Sequence, residues 1–122
     1  MKNTKTIQDK INSLQYGDSR VIKLECNYFA DEVKIIFEGS NGNSVINCIG
    51  CYEALFDHVK NYDKLMPVKE MKIPQTPYFL QEIIVSHITF EEKKFHKCNI
   101  NMFPLSVEII CEDIQICERS YH

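Results

Sequence analysis

Residues 31–58 read DEVKIIFEGSNGNSVINCIGCYEALFDH, two β-type runs joined by a turn. In the first run, the odd-numbered positions from Val33 to Phe37 are all apolar, and a pleated strand places alternate side chains on one face. Asn41–Gly42 supplies residues that tolerate the positive φ angles of a hairpin turn. The stretch therefore predicts an antiparallel hairpin, with a bulge or bend where Gly50 interrupts the second arm.

The first 17 residues predict one short helix. Apolar residues recur at the spacing of a single helical stripe, beginning at Ile7. We expect the helix to begin at Thr4 or Thr6, with Thr6 as its cap and Gly17 at its end.

Seven stretches have the composition or alternation of β-strands. They are Arg20–Phe29, Val33–Glu38, Val45–His58, Leu80–Phe90, Phe95–Phe103, Leu105–Cys111 and Ile114–Ile116. The connections are short, apart from the proline-containing stretch between Pro67 and Pro77. This spacing favours a mainly β fold of about seven antiparallel strands, arranged as a sandwich or an open barrel.

Two details of this strand pattern are specific enough to test. In Arg20–Phe29, alternate residues from Ile22 to Tyr28 form the expected buried face. The EEKK run at 91–94 is expected to form a charged turn, and Glu112–Asp113 to separate the last two strands.

Residues 51–62 fit two interpretations, because apolar side chains recur both at period two and on one helical face. We favour a strand to about His58, followed by an irregular loop.

Length and composition indicate one domain, residues 1–122, with a β-rich core over 20–118. Hydrophobic residues make up 44% of the chain, which is enough for a core without disulfides or metal. The net charge of −3 argues against nucleic acid as a partner.

No stretch is apolar enough to span a membrane, and the amino terminus lacks the apolar region of a signal peptide. We therefore expect a cytoplasmic protein whose six cysteines are free thiols.

Catalytic and metal-binding motifs are weak. Cys48 and Cys51 form a CxxC pair, which supplies two of the four ligands of a structural zinc site. His58 follows Asp57, yet neighbours in a strand point to opposite faces, so a base oriented by that carboxylate is not expected. His87 lies in an apolar run and is expected to be a hydrogen-bonded core histidine. We predict no enzyme activity, no catalytic residues and no cofactor.

Two features suggest a binding surface for a partner protein. The densest acidic group is Glu108, Glu112, Asp113 and Glu118, which fits either a solvated face or a docking site for a basic partner. Tyr78 stands on the proline-containing loop, where it would serve either as a binding anchor or as a plug for the end of the core; we favour the plug.

With these residues in view, the chain resembles the YxiG-like proteins, a group of small proteins of Gram-positive bacteria. The resemblance covers roughly residues 20–118 and carries no catalytic residues. It rests on VKIIFEG (33–39), GCYEALFDH (50–58), PVKEMKIPQTPYFLQEI (67–83) and INMFPLSVEIICEDIQI (100–116). Small proteins of this kind are often immunity proteins encoded beside toxins, so the resemblance implies that role.

The leading hypothesis is a non-enzymatic, protein-binding domain, in concrete form an immunity protein that masks a toxin's active site. The first alternative is a small-molecule-binding or hydrolytic β-domain, which requires a concave pocket with converging polar groups. Two further alternatives are a zinc-stapled module and a homodimer formed through an exposed edge strand.

Overall fold

The computed structural model describes residues 3–39, 42–58 and 66–120. Within these ranges the chain forms one α-helix, two short 3₁₀ helices and six strands, so the predicted mainly β fold with a short amino-terminal helix is confirmed. The elements are α1 (Thr4–Ser13), β1 (Val21–Asn27), β2 (Glu32–Gly39), β3 (Gly42–His58), the 3₁₀ helices Val68–Glu70 and Ile73–Gln75, β4 (Glu82–Phe90), β5 (Lys93–Met102) and β6 (Leu105–Ser120).

The structure describes six strands rather than about seven. The last two predicted strands, Leu105–Cys111 and Ile114–Ile116, form the single strand β6. Glu112 and Asp113, expected to form a turn, lie inside β6, and Asp113 pairs with Ile49 across the sheet. Glu112 is exposed and its carboxylate lies 2.6 Å from Lys93 Nζ. The exposed Glu112 and the half-buried Asp113 therefore lie within a continuous strand instead of ending it.

The central hairpin forms as predicted. β2 pairs with β3 in a continuous antiparallel register from Glu32↔Ile49 to Gly39↔Gly42. The alternate residues Val33, Ile35 and Phe37 are at most 1% exposed. The second arm continues as a strand to His58, which supports the strand interpretation of 51–58. Asn41 of the expected turn and residues 59–62 lie outside the described residues.

All neighbouring strands are antiparallel, in the order β1-β2-β3-β6-β5-β4. β3 and β6 pair along almost their whole length, from Gly42↔Ser120 to His58↔Leu105. β2 borders the first half of β3, whereas β5 borders the first half of β6. The two ends of the sheet approach each other through one isolated bridge, Arg20↔Phe79. This single curved, open sheet is closer to the open-barrel alternative than to a sandwich of two sheets.

The sheet changes direction at Gly50. This residue has φ of +65°, and a Cβ placed on it would lie 2.8 Å from Oε2 of Glu112 on the neighbouring strand. Immediately beyond it, the register of β3 against β6 shifts between Cys51 and Glu53, which leaves Tyr52 as an extra, bulged residue. The predicted bend at Gly50 is thus present, and a side chain is disfavoured there for both conformational and steric reasons.

One hydrophobic core cluster draws on both halves of the sheet and on the helix. Ile7 and Ile11 of α1 are at most 2% exposed and lie in the same cluster as residues of β2 to β6. Its fully buried members from the strands include Val33, Phe37, Ile46, Cys48, Cys98, Ile109, Cys111 and Ile114. Because the cluster is shared, the bend brings the two halves of the sheet over one core.

The helix is capped differently from the prediction. The side chain of Asn3, rather than Thr6, accepts the cap hydrogen bond, from the backbone N–H of Lys5 at 2.7 Å. The helix ends at Ser13, because Gln15 takes a positive φ of 52° before Gly17 is reached. Asparagine and threonine both suit an N-cap, so the sequence alone did not discriminate between them. None of the helices in the described ranges is long and apolar enough to cross a membrane.

The helix region also seals the outer edge of β4. Gln8 Nε2 donates to Ile83 O at 3.0 Å, and Gln8 Oε1 accepts from the Val85 N–H at 2.6 Å. The hydroxyl of Tyr16 accepts from the Ile83 N–H at 2.9 Å. Side chains here replace the backbone partners that a further strand would supply, so the edge is covered at Ile83 and Val85, near the start of β4.

Two expectations about individual side chains are wrong. Cys26 and Tyr28 are exposed although the alternation of β1 placed them on its buried face. Cys26 lies opposite the buried Val33 but near the end of an edge strand, and Tyr28 follows that strand, which ends at Asn27. His87 is exposed as well. The buried histidine is its cross-strand neighbour His96, whose Nδ1 lies 3.0 Å from the hydroxyl of Thr4.

Replacing Ile46 by alanine tests the core. Ile46 is fully buried, so we expect Ile46→Ala to lower the free energy of unfolding by about 2–5 kcal/mol. Ile84→Ala is the matched control, because Ile84 is also a strand isoleucine but is 46% exposed, and we expect it to cost less than about 1 kcal/mol. Urea denaturation measures both values. Equal costs would contradict the assigned core.

Replacing Gln8 by alanine tests the sealed edge. Gln8→Ala removes both side-chain hydrogen bonds to β4, so we expect a loss of about 1 kcal/mol and faster hydrogen exchange at the Val85 amide. Asp9→Ala changes an exposed neighbour on the same helix and serves as the control. If the Val85 amide exchanged at the wild-type rate in both variants, Gln8 would not be its partner.

Candidate functional site

Aromatic side chains are exposed where the sheet bends. Phe29 has 108% of its reference exposure, Tyr28 73% and Tyr52 63%. These three rings line one surface hollow, and Tyr52 also lines the adjoining cleft of about 480 Å³ together with Phe90. We call Tyr28, Phe29, Tyr52 and Phe90 the aromatic patch. Rings that gain so little from burial in the free protein are typical of a surface that another molecule covers.

The patch is presented by two turns with unfavourable backbone conformations. In the β1–β2 turn, Tyr28, Phe29 and Ala30 have φ of 53°, 58° and 69°. In the β4–β5 turn, Glu91 and Glu92 have φ of 47° and 67°. None of the five is glycine, and each such conformation costs about 1 kcal/mol or more. Backbone strain of this kind concentrates at functional sites, and here it holds Phe29 away from the core.

Beneath the exposed rings lies a rigid aromatic base. The Tyr52 and Phe90 rings stack with centroids 5.3 Å apart, and the Tyr52 centroid is 5.2 Å from that of Phe95. Phe95 itself is only 4% exposed. The ammonium of Lys93 lies 5.3 Å from the Phe95 centroid. Tyr52 is therefore held in place on one side and open to solvent on the other.

A backbone hydrogen bond ties the first turn to the bend. The Cys51 N–H donates to the carbonyl oxygen of Asp31 at 2.8 Å. This bond joins the end of the β1–β2 turn to the residue that follows Gly50. The positions of Tyr28 and Phe29 relative to Tyr52 consequently depend on the bend of β3.

Carboxylates surround the aromatic patch. Asp31, Glu53, Glu91 and Glu112 line the hollow and the cleft, and all four are exposed; we call them the acidic rim. The one cationic side chain that lines either depression, among the described residues, is Lys93, and it is ion-paired with Glu112 at 2.6 Å. The site is thus apolar at its centre and negative at its border.

A second acidic depression lies farther along the sheet. This outer cleft, of about 400 Å³, is lined by Asp57, Glu82 and Glu108 beside Leu55. Glu108 forms an ion pair with Lys97 at 2.8 Å. Leu55 is the only apolar side chain with half of its surface exposed here. The outer cleft lacks the aromatic anchors of the first site.

The structure separates the acidic residues predicted to bind a partner. Glu112 belongs to the acidic rim, whereas Glu108 lines the outer cleft. Asp113 is half-buried, and its carboxylate accepts a hydrogen bond from the N–H of the next residue at 2.9 Å. Glu118 is exposed and pairs with Ser44 near the far end of β6. Proximity in sequence did not produce one acidic docking site.

Tyr78 is half-buried and packs against the core cluster, as a plug would. Its hydroxyl lies 2.9 Å from His58 Nε2. Asp57 instead lines the outer cleft, so the two neighbours His58 and Asp57 point in different directions, as the alternation of a strand requires.

The CxxC pair spans the bend. Cys48 is fully buried, and the Cys51 thiol, half-buried, donates to the carbonyl oxygen of Cys48 at 3.5 Å. Burial raises the pKa of the Cys51 thiol to about 12, so it is protonated at neutral pH. Zinc binds thiolates, and across residues 3–39, 42–58 and 66–120 no group of three or more His, Cys, Asp or Glu side chains is placed to hold a metal ion.

Sequence reasoning missed the aromatic patch. The available signal was the run NYFAD at 27–31, which places two aromatic residues between two strands where glycine, asparagine or proline is usual. Tyr52 and Phe90 gave no such signal, because 37 intervening positions separate two residues that the sheet brings into contact.

Comparison with known proteins supports the fold. The chain is similar to the protein in a crystal structure of an uncharacterized protein from Neisseria gonorrhoeae, with a TM-score of 0.56 and 16% sequence identity over 83% of this chain and 91% of that one. At this identity the likeness concerns the fold alone. Among curated proteins there is no significant match.

The family comparison is more informative. A family model described as Immunity protein PIM7 matches residues 3–118, from the helix cap to near the end of β6. It supports the immunity-protein role that the sequence resemblance implied, while the YxiG-like name is not confirmed. Because the match extends over nearly the whole chain, this protein belongs to the Immunity protein PIM7 family.

Proposed function

We propose that this protein is a non-enzymatic immunity protein that neutralises a bacterial toxin domain by binding it and covering its active site. The family name supports the role, and the aromatic patch supplies a surface suited to it. The proposed partner is a protein rather than nucleic acid or a membrane. The proposed compartment is the cytoplasm, where the toxin would otherwise act.

The observation that carries this proposal is the full exposure of Phe29 on a strained turn. A free protein gains nothing from holding a phenylalanine in water on a turn whose backbone conformation is itself unfavourable. A partner protein that buries the Phe29 ring would account for its exposure in the free protein. Desolvation of aromatic anchors provides most of the free energy in many protein interfaces.

The site also has the layout of a protein interface. Its aromatic centre is supported from below by Phe95, and its border is polar and charged. Interfaces commonly combine an apolar core with a polar rim that excludes water. Because the Tyr52 and Phe90 rings are already stacked, little conformational entropy of these two side chains would be lost on binding.

Non-catalytic action is part of the same proposal. His58, the best candidate for a general base, is hydrogen-bonded to Tyr78, while Asp57 lies in the outer cleft. The two side chains therefore do not form a base with an orienting carboxylate. Inhibition by coverage requires only shape and charge complementarity.

Phe29→Ala is the direct test. We expect it to weaken the complex with the inactivated cognate toxin domain by about 2 kcal/mol or more, a roughly 30-fold rise in Kd, because a central aromatic anchor is lost. Stability should be unchanged, since Phe29 is fully exposed in the free protein. Phe103→Ala is the matched control, because Phe103 is 48% exposed beyond the opposite end of β5. Isothermal titration calorimetry measures Kd, and growth of cells expressing active toxin measures protection.

Absence of a complex with the wild-type chain would contradict the proposed function. Equal affinities for wild type and Phe29→Ala, with Phe103→Ala weakened, would instead move the binding surface to the other end of β5. Sedimentation of the free chain separates a homodimer from a one-to-one complex.

A further inference from the structure

The border of the aromatic patch is negatively charged, as is the outer cleft with Asp57, Glu82 and Glu108. Of the five charged side chains that line the hollow and the cleft, four are the carboxylates of the acidic rim and one is Lys93, so the site has a formal charge of −3. The whole chain also has a net charge of −3. All other charged side chains therefore sum to zero.

Ion pairs neutralise three carboxylates elsewhere in the described chain and one of the four carboxylates of the acidic rim. Glu38 pairs with Arg20 at 3.5 Å, Glu25 with Lys23 at 3.0 Å and Glu108 with Lys97 at 2.8 Å. In the acidic rim, Glu112 alone has an ion pair within the residues that the structure describes. Asp31, Glu53 and Glu91 thus remain available to a cationic group from outside.

The combination of aromatic faces and carboxylates selects a particular chemistry. A guanidinium or ammonium group is attracted both to the face of a tyrosine or phenylalanine ring and to a nearby carboxylate. The chain contains this arrangement internally, where the Arg20 guanidinium lies 4.6 Å from the Phe79 centroid and beside Glu38. At the aromatic patch the one lining cation, Lys93, pairs with Glu112 and lies over Phe95, so it leaves the exposed faces of Tyr52 and Phe29 and the carboxylates of Asp31, Glu53 and Glu91 to a cation from outside.

We propose that the aromatic patch binds an arginine- or lysine-bearing loop of the toxin domain, whose cationic side chain lies against Tyr52 and Phe29 and pairs with Asp31, Glu53 or Glu91. This inference rests on the proposed function and names the partner's chemistry. The four acidic positions at the border steer the basic loop toward the site, so association is fast and sensitive to salt.

The triple variant Asp31→Asn, Glu53→Gln, Glu91→Gln removes the unpaired carboxylates and keeps their shape. We expect its association rate constant with the inactivated toxin domain to fall at least about tenfold at about 20 mM salt, and to approach the wild-type value at about 500 mM, because salt screens the remaining attraction. Stopped-flow fluorescence measures the rate. All three carboxylates are exposed, so the urea midpoint should not change.

The matched control neutralises three exposed carboxylates away from the site, in Asp9→Asn, Glu70→Gln, Glu118→Gln. Both triple variants change the net charge equally. We expect the control to alter the association rate by less than about twofold, since distant exposed charges are screened.

Each outcome has a defined meaning. A large rate loss in the rim variant alone supports the cationic loop. Equal losses in both variants, or no loss in either, overturn it while leaving the proposed function intact if Phe29→Ala still weakens the complex. A wild-type chain that binds no toxin domain overturns both proposals. Self-association abolished by Phe29→Ala would make a second copy the occupant and would overturn the cationic loop.

Discussion

The pairing of β3 with β6 across the bend at Gly50 is the constraint on which the rest of the molecule depends. These strands, of 17 and 16 residues, are the longest described and the only ones that reach both halves of the sheet. The bend lets the halves share one core, and β2 and β5 each begin beside it. The β1–β2 and β4–β5 turns therefore meet at the middle of the molecule, where they build the aromatic patch.

The molecule treats its surfaces unequally. Gln8 and Tyr16 cover the start of the β4 edge, where they bond backbone groups of Ile83 and Val85 that would otherwise be open to another chain. At the bend, by contrast, Phe29 and Tyr52 are exposed, and the two turns contain non-glycine residues with positive φ angles. In the proposed function, the exposed aromatic surface is the one that binds. The family assignment supplies a toxin as the natural occupant in the proposed function.

Local patterns predicted the fold better than the site. Alternation from Val33 to Phe37 and the glycine at position 50 gave the central hairpin and its bend, because both depend on neighbouring residues. The predicted number of strands was wrong because of Glu112–Asp113: an exposed glutamate and a half-buried aspartate lie inside a strand whose partner could not be known from sequence. The aromatic patch depends on which strands lie side by side in the sheet. Phe90 could not be assigned to it from the sequence, because its contact with Tyr52 is formed only in the folded sheet.

The central claim is that a toxin domain covers the bend and its two turns. Hydrogen–deuterium exchange of the chain, alone and saturated with the inactivated toxin domain, measures this directly. We expect slower exchange in the complex at residues 28–32, 51–54 and 90–94, with little change at residues 105–108 beside the outer cleft. Protection confined to the outer cleft, with unchanged exchange at the two turns, would contradict the claim and assign binding to the other acidic depression.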